Sequence, residues 1–87
     1  MNEVSKLNIQ LVTTIKAWDP LSIGEDDYDT EAADVVQLVH QTDDLTHLSK
    51  GIQEIYYFSF LETIPLPMCK EMAEKLLIMK NNASCEL

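Results

Sequence analysis

Carboxylates are concentrated in the second quarter of this chain, and carboxylates bind metal ions, transfer protons in catalysis and attract basic proteins. Nine of the fifteen acidic residues lie between positions 19 and 44, a segment that contains no lysine. The other six acids are balanced by the six lysines, so this segment carries the whole net charge of −9. The nine are Asp19, Glu25, Asp26, Asp27, Asp29, Glu31, Asp34, Asp43 and Asp44.

Calcium is the first ligand to consider for such a segment. Residues 19–30 have the length of an EF-hand loop, with Gly24 at the sixth position. An EF-hand loop needs oxygen-bearing side chains at its third and fifth positions and a bidentate Glu at its twelfth. Those positions hold Leu21, Ile23 and Thr30. The sequence therefore supports no metal ligand and no cofactor.

Histidines and cysteines are the other candidates for zinc binding or nucleophilic chemistry. His40, His47, Cys69 and Cys85 show neither Cys-x-x-Cys spacing nor a His pair four residues apart, which zinc sites favour. The chain contains no glycine-rich phosphate loop, no GxSxG and no HExxH motif. A Cys69–histidine pair would have to meet in space. We therefore predict a protein that is not an enzyme.

Charge and composition also exclude classes of partner. The chain has no arginine, the residue best suited to bidentate phosphate contacts, and phosphate contacts dominate nucleic-acid affinity. The same negative field repels anionic membranes, and no segment approaches the about 20 apolar residues of a membrane span. We expect no secretory signal, and two cysteines without a disulfide pattern favour the cytoplasm.

Four segments with helical spacing of apolar residues must position these side chains. The first, about 3–18, carries Val4, Leu7, Leu11, Ile15 and Trp18. The second, which we expect Asp29 or Thr30 to cap, carries Ala32, Val35, Val36 and Val39. The third, which we expect Asp43 or Asp44 to cap, carries Leu45, Leu48, Ile52 and Ile55. The fourth begins near Pro67 and carries Met68, Met72, Leu76 and Met79.

The predicted fold is an all-α, four-helix, bundle-like single domain over residues 1–80, with an irregular acidic loop between helices one and two. Residues 81–87 show no periodic pattern, so we predict a disordered tail. Gly51 within helix three predicts the close approach of a neighbouring helix. Residues 56–61 are rich in aromatic rings, and we predict that they end helix three.

The sequence resembles the YugE-like family of short bacterial proteins. The resemblance rests on a W-D-P-[LI] … G-E-D-x-Y-D-x-E signature, which spans residues 18–31, and continues through 52–60 and 64–66. It implies a small helical domain of bacterial, cytoplasmic type and carries no activity or site residue with it.

The signature residues also have a structural interpretation. We expect them to brace the acidic loop, with the single tryptophan covering the core and the tyrosine folding back onto it. Gly24 is expected to supply a backbone angle that other residues resist. The residues assigned this structural role are Trp18, Asp19, Pro20, Gly24 and Tyr28.

The leading functional hypothesis is a protein-interaction module, in its sharpest form an inhibitor or immunity-like protein, that binds a basic protein. One alternative is a divalent-cation-responsive helical protein that uses the acidic 19–34 segment. Another is a structural homodimer through 56–61, because one helix face cannot bury all the rings of that segment. The candidate interaction residues are Glu25, Asp26, Asp27, Asp29, Glu31, Asp34, Tyr57 and Phe60.

Overall fold

The computed structural model describes residues 3–85, apart from the side chains of Glu3, Glu25, Ser84 and Cys85. These residues form four α-helices and one short 3-10 helix with their connections. The helices are α1 (Glu3–Trp18), α2 (Asp29–Gln41), α3 (Leu45–Phe60) and α4 (Leu66–Cys85), and the 3-10 helix spans Glu25–Tyr28. Residues 3–85 contain no strand. The all-α, four-helix prediction is confirmed. None of these helices is both long enough and apolar enough to cross a lipid bilayer.

Each helix packs against its neighbours in the chain, and α1 also packs against α4. Two polar contacts show that α1 and α2 are antiparallel. Asn8 pairs with His40 at 2.7 Å near one end, and Lys16 pairs with Asp29 at 2.7 Å near the other. The 3-10 helix packs against α1 and α2, so residues 19–28 lie at the end of the bundle where α1 stops and α2 starts.

Most of the apolar positions that the helical spacing predicts are buried in the core, and four more, Trp18, Leu45, Ile55 and Met79, are partly buried against it. Val4 and Met68 are exceptions, 59% and 38% exposed, and each lies in the first turns of its helix. The buried apolar residues are Leu7, Leu11, Ile15, Tyr28, Ala32, Val35, Val36, Val39, Leu48, Ile52, Tyr56, Ile64, Cys69, Met72, Ala73 and Leu76.

The predicted cap of α2 is wrong, whereas that of α3 is confirmed. The 3-10 helix runs directly into α2, so Tyr28 occupies the N-cap position and no side chain caps the helix. Asp29 and Thr30 are already helical, because the chain has no extended residue there. Asp44 is extended and its carboxylate accepts hydrogen bonds from Thr46 N at 2.9 Å and His47 N at 3.3 Å.

The C-terminal end of α3 agrees with the prediction from the sequence, whereas that of α4 does not. Helix α3 ends at Phe60 and Leu61 adopts a left-handed φ of 58°, as expected for the end of the aromatic run. Helix α4 continues to Cys85, so residues 81–85 are helical where a tail was predicted. Ala83 packs against the core, which gives this last turn a reason to stay helical. Residues 86 and 87 lie outside the described part of the chain.

Candidate functional site

Residues 19–28, which connect α1 to α2, fold around the carboxylate of Asp19. Its Oδ1 accepts hydrogen bonds from the Tyr28 hydroxyl at 2.6 Å and from Ile23 N at 2.9 Å, and Gly24 N lies 3.2 Å from Oδ2. The hydrogen bond from Tyr28, together with those from the backbone, lowers the pKa of the Asp19 carboxyl below its ordinary value. Asp19 is therefore an internal anchor of the loop, with its oxygens already engaged.

Three other signature residues, Trp18, Gly24 and Tyr28, have structural roles beside this anchor, and Pro20 is partly buried. Gly24 has a φ of 101°, which side-chain-bearing residues rarely adopt. Tyr28 is fully buried, and its hydroxyl also accepts a hydrogen bond from Leu21 N at 3.2 Å. Burial, and then the bond to Asp19, raise the pKa of Tyr28. Trp18 packs edge-on against Tyr56, with ring centroids 5.5 Å apart.

Four of the nine clustered acids make a polar contact within the fold, and a fifth is buried. Asp19 anchors the loop and Asp44 caps α3. Asp29 pairs with Lys16 at 2.7 Å, and Asp43 pairs with Lys80 at 2.8 Å. Glu31 is buried, with 7% of its surface exposed. Two of the candidate interaction residues, Asp29 and Glu31, are thus tied to the fold in a way that sequence alone did not show.

Three acids of the cluster have no such role. Asp26, Asp27 and Asp34 are exposed, and none of them forms an ion pair with a side chain that the structure describes. Asp27 and Asp34 are seven residues apart, which is about two helical turns, so they lie on a similar face of the continuous 3-10/α2 segment. We call Asp26, Asp27 and Asp34 the acidic surface. The side chain of Glu25 is not among those described.

A groove of about 560 Å³ lies between α2 and α3 and is lined by residues of these two helices. Its apolar lining comes from Leu38, Ile55 and Phe58, with Gly51 between them. A Cβ on Gly51 would overlap Leu38 Cδ2, which confirms the close helix approach predicted there. Asp34 of the acidic surface also lines the groove, so the two features are continuous.

The aromatic run divides between core and surface. Phe60 is partly buried and packs edge-on against Tyr28 at 5.7 Å between centroids, so little of its ring is left for a partner. Tyr57 is 45% exposed and Phe58 is 78% exposed. Sequence reasoning missed Phe58 as a surface residue. The signal was available, because the core positions Leu48, Ile52 and Tyr56 leave Phe58 off their stripe.

The described cysteine and the two histidines differ in their exposure to solvent. Cys69 is fully buried, and burial raises the pKa of its thiol, which disfavours the nucleophilic thiolate. His40 and His47 are both exposed. Among the described side chains, no three His, Cys, Asp or Glu residues lie close enough together to hold a metal ion.

Comparison with known proteins places this fold and its signature in a family. Residues 10–86 match the family described as "Domain of unknown function (DUF1871)". The chain belongs to this family. It is 45% identical over 76 residues to "Uncharacterized protein YugE" of Bacillus subtilis strain 168, across 87% of this chain and 88% of that protein. The resemblance inferred from the signature residues is confirmed.

A solved structure supports the same fold for this DUF1871 chain. A crystal structure of a protein from Bacillus stearothermophilus superposes with a TM-score of 0.88 at 47% sequence identity. The match covers 90% of this chain and 96% of that one. This chain and that protein therefore share the same fold.

Proposed function

We propose that this DUF1871 protein is a non-enzymatic, cytoplasmic interaction module whose acidic surface binds a basic protein. The observation that supports this proposal is that some of the clustered acids have partners within the fold and others do not. Asp19, Asp29, Asp43 and Asp44 are engaged within the fold, whereas the acidic surface is exposed and unpaired among the described residues.

Electrostatics explain why such a surface favours a basic partner. Unpaired exposed carboxylates keep their field, which extends over a Debye length of about 8 Å at physiological salt. A field of one sign accelerates encounter with an oppositely charged surface and disfavours anionic partners. A partner whose own site binds phosphate would meet carboxylates in place of phosphate oxygens, which is the inhibitor-like form of this proposal.

A pull-down from lysate of the source bacterium at low salt tests the proposal. The first variant replaces Asp26, Asp27 and Asp34 by Asn. The matched control replaces three exposed acids elsewhere, Glu62, Glu71 and Glu74, by Gln. Both variants change the net charge by the same amount, from −9 to −6.

We expect basic proteins to be captured by the wild type and by the Gln control, and to be lost with the Asn variant or with added salt. Equal capture by both variants would show that only net charge matters and would contradict the proposal. Calcium or magnesium that shifts the amide signals of residues 19–34 would favour the cation-responsive alternative instead. A dimer by sedimentation would favour the structural alternative.

A further inference from the structure

The groove between α2 and α3 has an apolar floor that is open to solvent. Leu38 contributes from α2, and Ile55 and Phe58, three residues apart, contribute from α3. With 78% of its surface exposed, Phe58 is the most exposed large apolar residue at the groove. The groove has a volume of about 560 Å³, which lies within the range of pockets that bind ligands, about 300–1,000 Å³.

Charged residues give this groove a direction. Helices α2 and α3 are antiparallel, because Gly51 faces Leu38 and the connection between the helices is only three residues long. His47 therefore lies nearest that connection, Lys50 and Glu54 follow one helical turn apart, and Asp34 lies level with Glu54 across the groove. Asp34 and Glu54 form no ion pair with a described side chain.

The charges argue for a cationic occupant over a second copy of the chain. A second copy brings its own net charge of −9 to a face that adjoins the acidic surface. Bringing like charges together opposes association, whereas Lys and Arg side chains complement Asp34 and Glu54. An apolar side chain of the occupant would also be favourable, because it would remove the exposed ring of Phe58 from water.

A helix fits this space better than an extended chain. Two antiparallel helices present ridges of side chains with a groove between them, into which the side chains of a third helix can pack. Apolar residues three or four apart on such a helix would meet Leu38 and the Ile55–Phe58 pair. A helix is also polar along its axis, as the groove is, with a positive amino end and a negative carboxyl end.

We propose that the α2–α3 groove binds a helical segment of a basic protein, with an apolar side chain against Leu38, Ile55 and Phe58 and with Lys or Arg facing Asp34 and Glu54. This inference rests on the proposed function and names the shape of the partner that the acidic surface attracts. The positive, amino-terminal end of the segment lies at the Asp34–Glu54 end of the groove.

Synthetic peptides provide the probe, since the natural partner is unidentified. The first is an amphipathic Leu/Lys helix of about 18 residues, or about five turns. The second has the same composition in a scrambled order without an apolar face, and the third replaces Lys by Glu. Binding to the full chain is measured by calorimetry and by the amide chemical shifts of residues 34–58.

The protein variants are Phe58→Ser and, as matched controls, Leu61→Ser and Ile78→Ser, which also remove exposed apolar side chains, 76% and 58% exposed. Since all three positions are exposed, each variant is expected to keep the melting temperature of the wild type. The Leu/Lys helix is expected to shift the signals of the groove residues. Phe58→Ser is expected to weaken its binding by about tenfold or more, and neither control is expected to do so.

The outcomes separate the groove from the acidic surface. If the ordered and scrambled Lys peptides bound equally and Phe58→Ser had no effect, the proposal of helix binding in the groove would be overturned. The proposal that the acidic surface binds a basic partner would not be. Failure of both Lys peptides to bind at low salt, or equal binding of the Glu peptide, would overturn the proposed function as well. A dimer that Phe58→Ser dissociates would assign the groove to a second copy and overturn the inference.

Discussion

Two buried tyrosines of one aromatic cluster differ in what their hydroxyls meet. Tyr28 and Tyr56 lie 5.7 Å apart between ring centroids, and both are fully buried. The Tyr28 hydroxyl donates to Asp19 and accepts from Leu21 N. The Tyr56 hydroxyl is buried without a hydrogen-bond partner among the described residues, and its burial raises its pKa. An unpaired buried polar group costs about 1–3 kcal/mol, so the two rings contribute differently to stability.

We predict that Tyr56→Phe keeps or raises the free energy of unfolding, by up to about 1 kcal/mol, because the ring packing stays and the unpaired hydroxyl is removed. Tyr28→Phe is the matched comparison. It should lower the free energy of unfolding by about 2 kcal/mol, because the hydrogen bond from the Tyr28 hydroxyl to the Asp19 carboxylate is lost. Urea denaturation followed by circular dichroism measures both values. A larger loss for Tyr56→Phe than for Tyr28→Phe would show that the Tyr56 hydroxyl has a partner such as an ordered water.

The pKa of Asp19 makes part of the stability depend on pH. Its pKa is lowered in the folded chain from an ordinary value of 3.8, so the unfolded chain binds the proton first as the pH falls. The stabilisation is therefore fully present above that ordinary value and is lost as the pH falls through the folded pKa. We predict that the stability difference between wild type and Asp19→Asn is constant at neutral pH and narrows below about pH 4. Denaturation curves at several pH values measure it, and a difference that stays constant in acid would contradict the prediction.

At the scale of helices, the α2–α3 contact depends on one small residue. Gly51 lies inside α3, where alanine would favour the helix by about 1 kcal/mol. A Cβ at this position would overlap Leu38 Cδ2 of α2, so the gain is opposed by displacement of that side chain. The separation of the two helices, and with it the floor of the groove, is set by this pair.

We predict that Gly51→Ala does not stabilise the wild type but stabilises a Leu38→Ala background by about 1 kcal/mol. Thermal or urea unfolding of the four proteins of this cycle gives the coupling between the two positions. Additive effects, within about 0.3–0.5 kcal/mol, would mean that Leu38 does not restrict position 51.

Over the whole molecule, negative charge is in excess of what the ion pairs of the described residues neutralise. The net charge of −9 opposes the compact state by self-repulsion. The acidic surface contributes to that repulsion and forms no ion pair with a described side chain in return. Its acids therefore gain no ion-pair stabilisation from the described residues, as we expect of acids whose charge serves an encounter with a partner.

We predict that Asp26→Asn combined with Asp27→Asn leaves the free energy of unfolding unchanged or raises it by a few tenths of a kcal/mol, and weakens its dependence on added salt. Unfolding at low and high salt measures both effects. Asp44→Asn, which retains a capping side chain, is a one-charge comparison within the same segment. A loss of more than about 1 kcal/mol in the double variant would assign these acids to the fold.

The sequence determined the helices because their spacing is local. Leu7, Leu11 and Ile15 mark the buried face of α1 whatever it packs against, and the extended residue Asp44 caps α3 through its own neighbours. Such features predicted four helices, the bend at Gly24 and the close approach at Gly51. Apolar periodicity did not predict the last turns of α4, where tertiary contacts matter. Ala83 packs against the core there, and residues 81–85 are helical where a tail was predicted.

Only the tertiary structure decided which of the clustered acids are free. Asp26 and Asp29 are both candidate interaction residues in the sequence, yet Asp29 pairs with Lys16 of α1 and Asp26 pairs with no described cation. Which charges meet depends on how α1 packs against α2, and no local rule supplies that geometry. The groove has the same origin, since Phe58 and Leu38 become its walls only when α3 packs against α2. The sequence by itself determined the family, the helices and the sign of the charge, whereas the packing of the helices decided which acids are paired and where the groove lies.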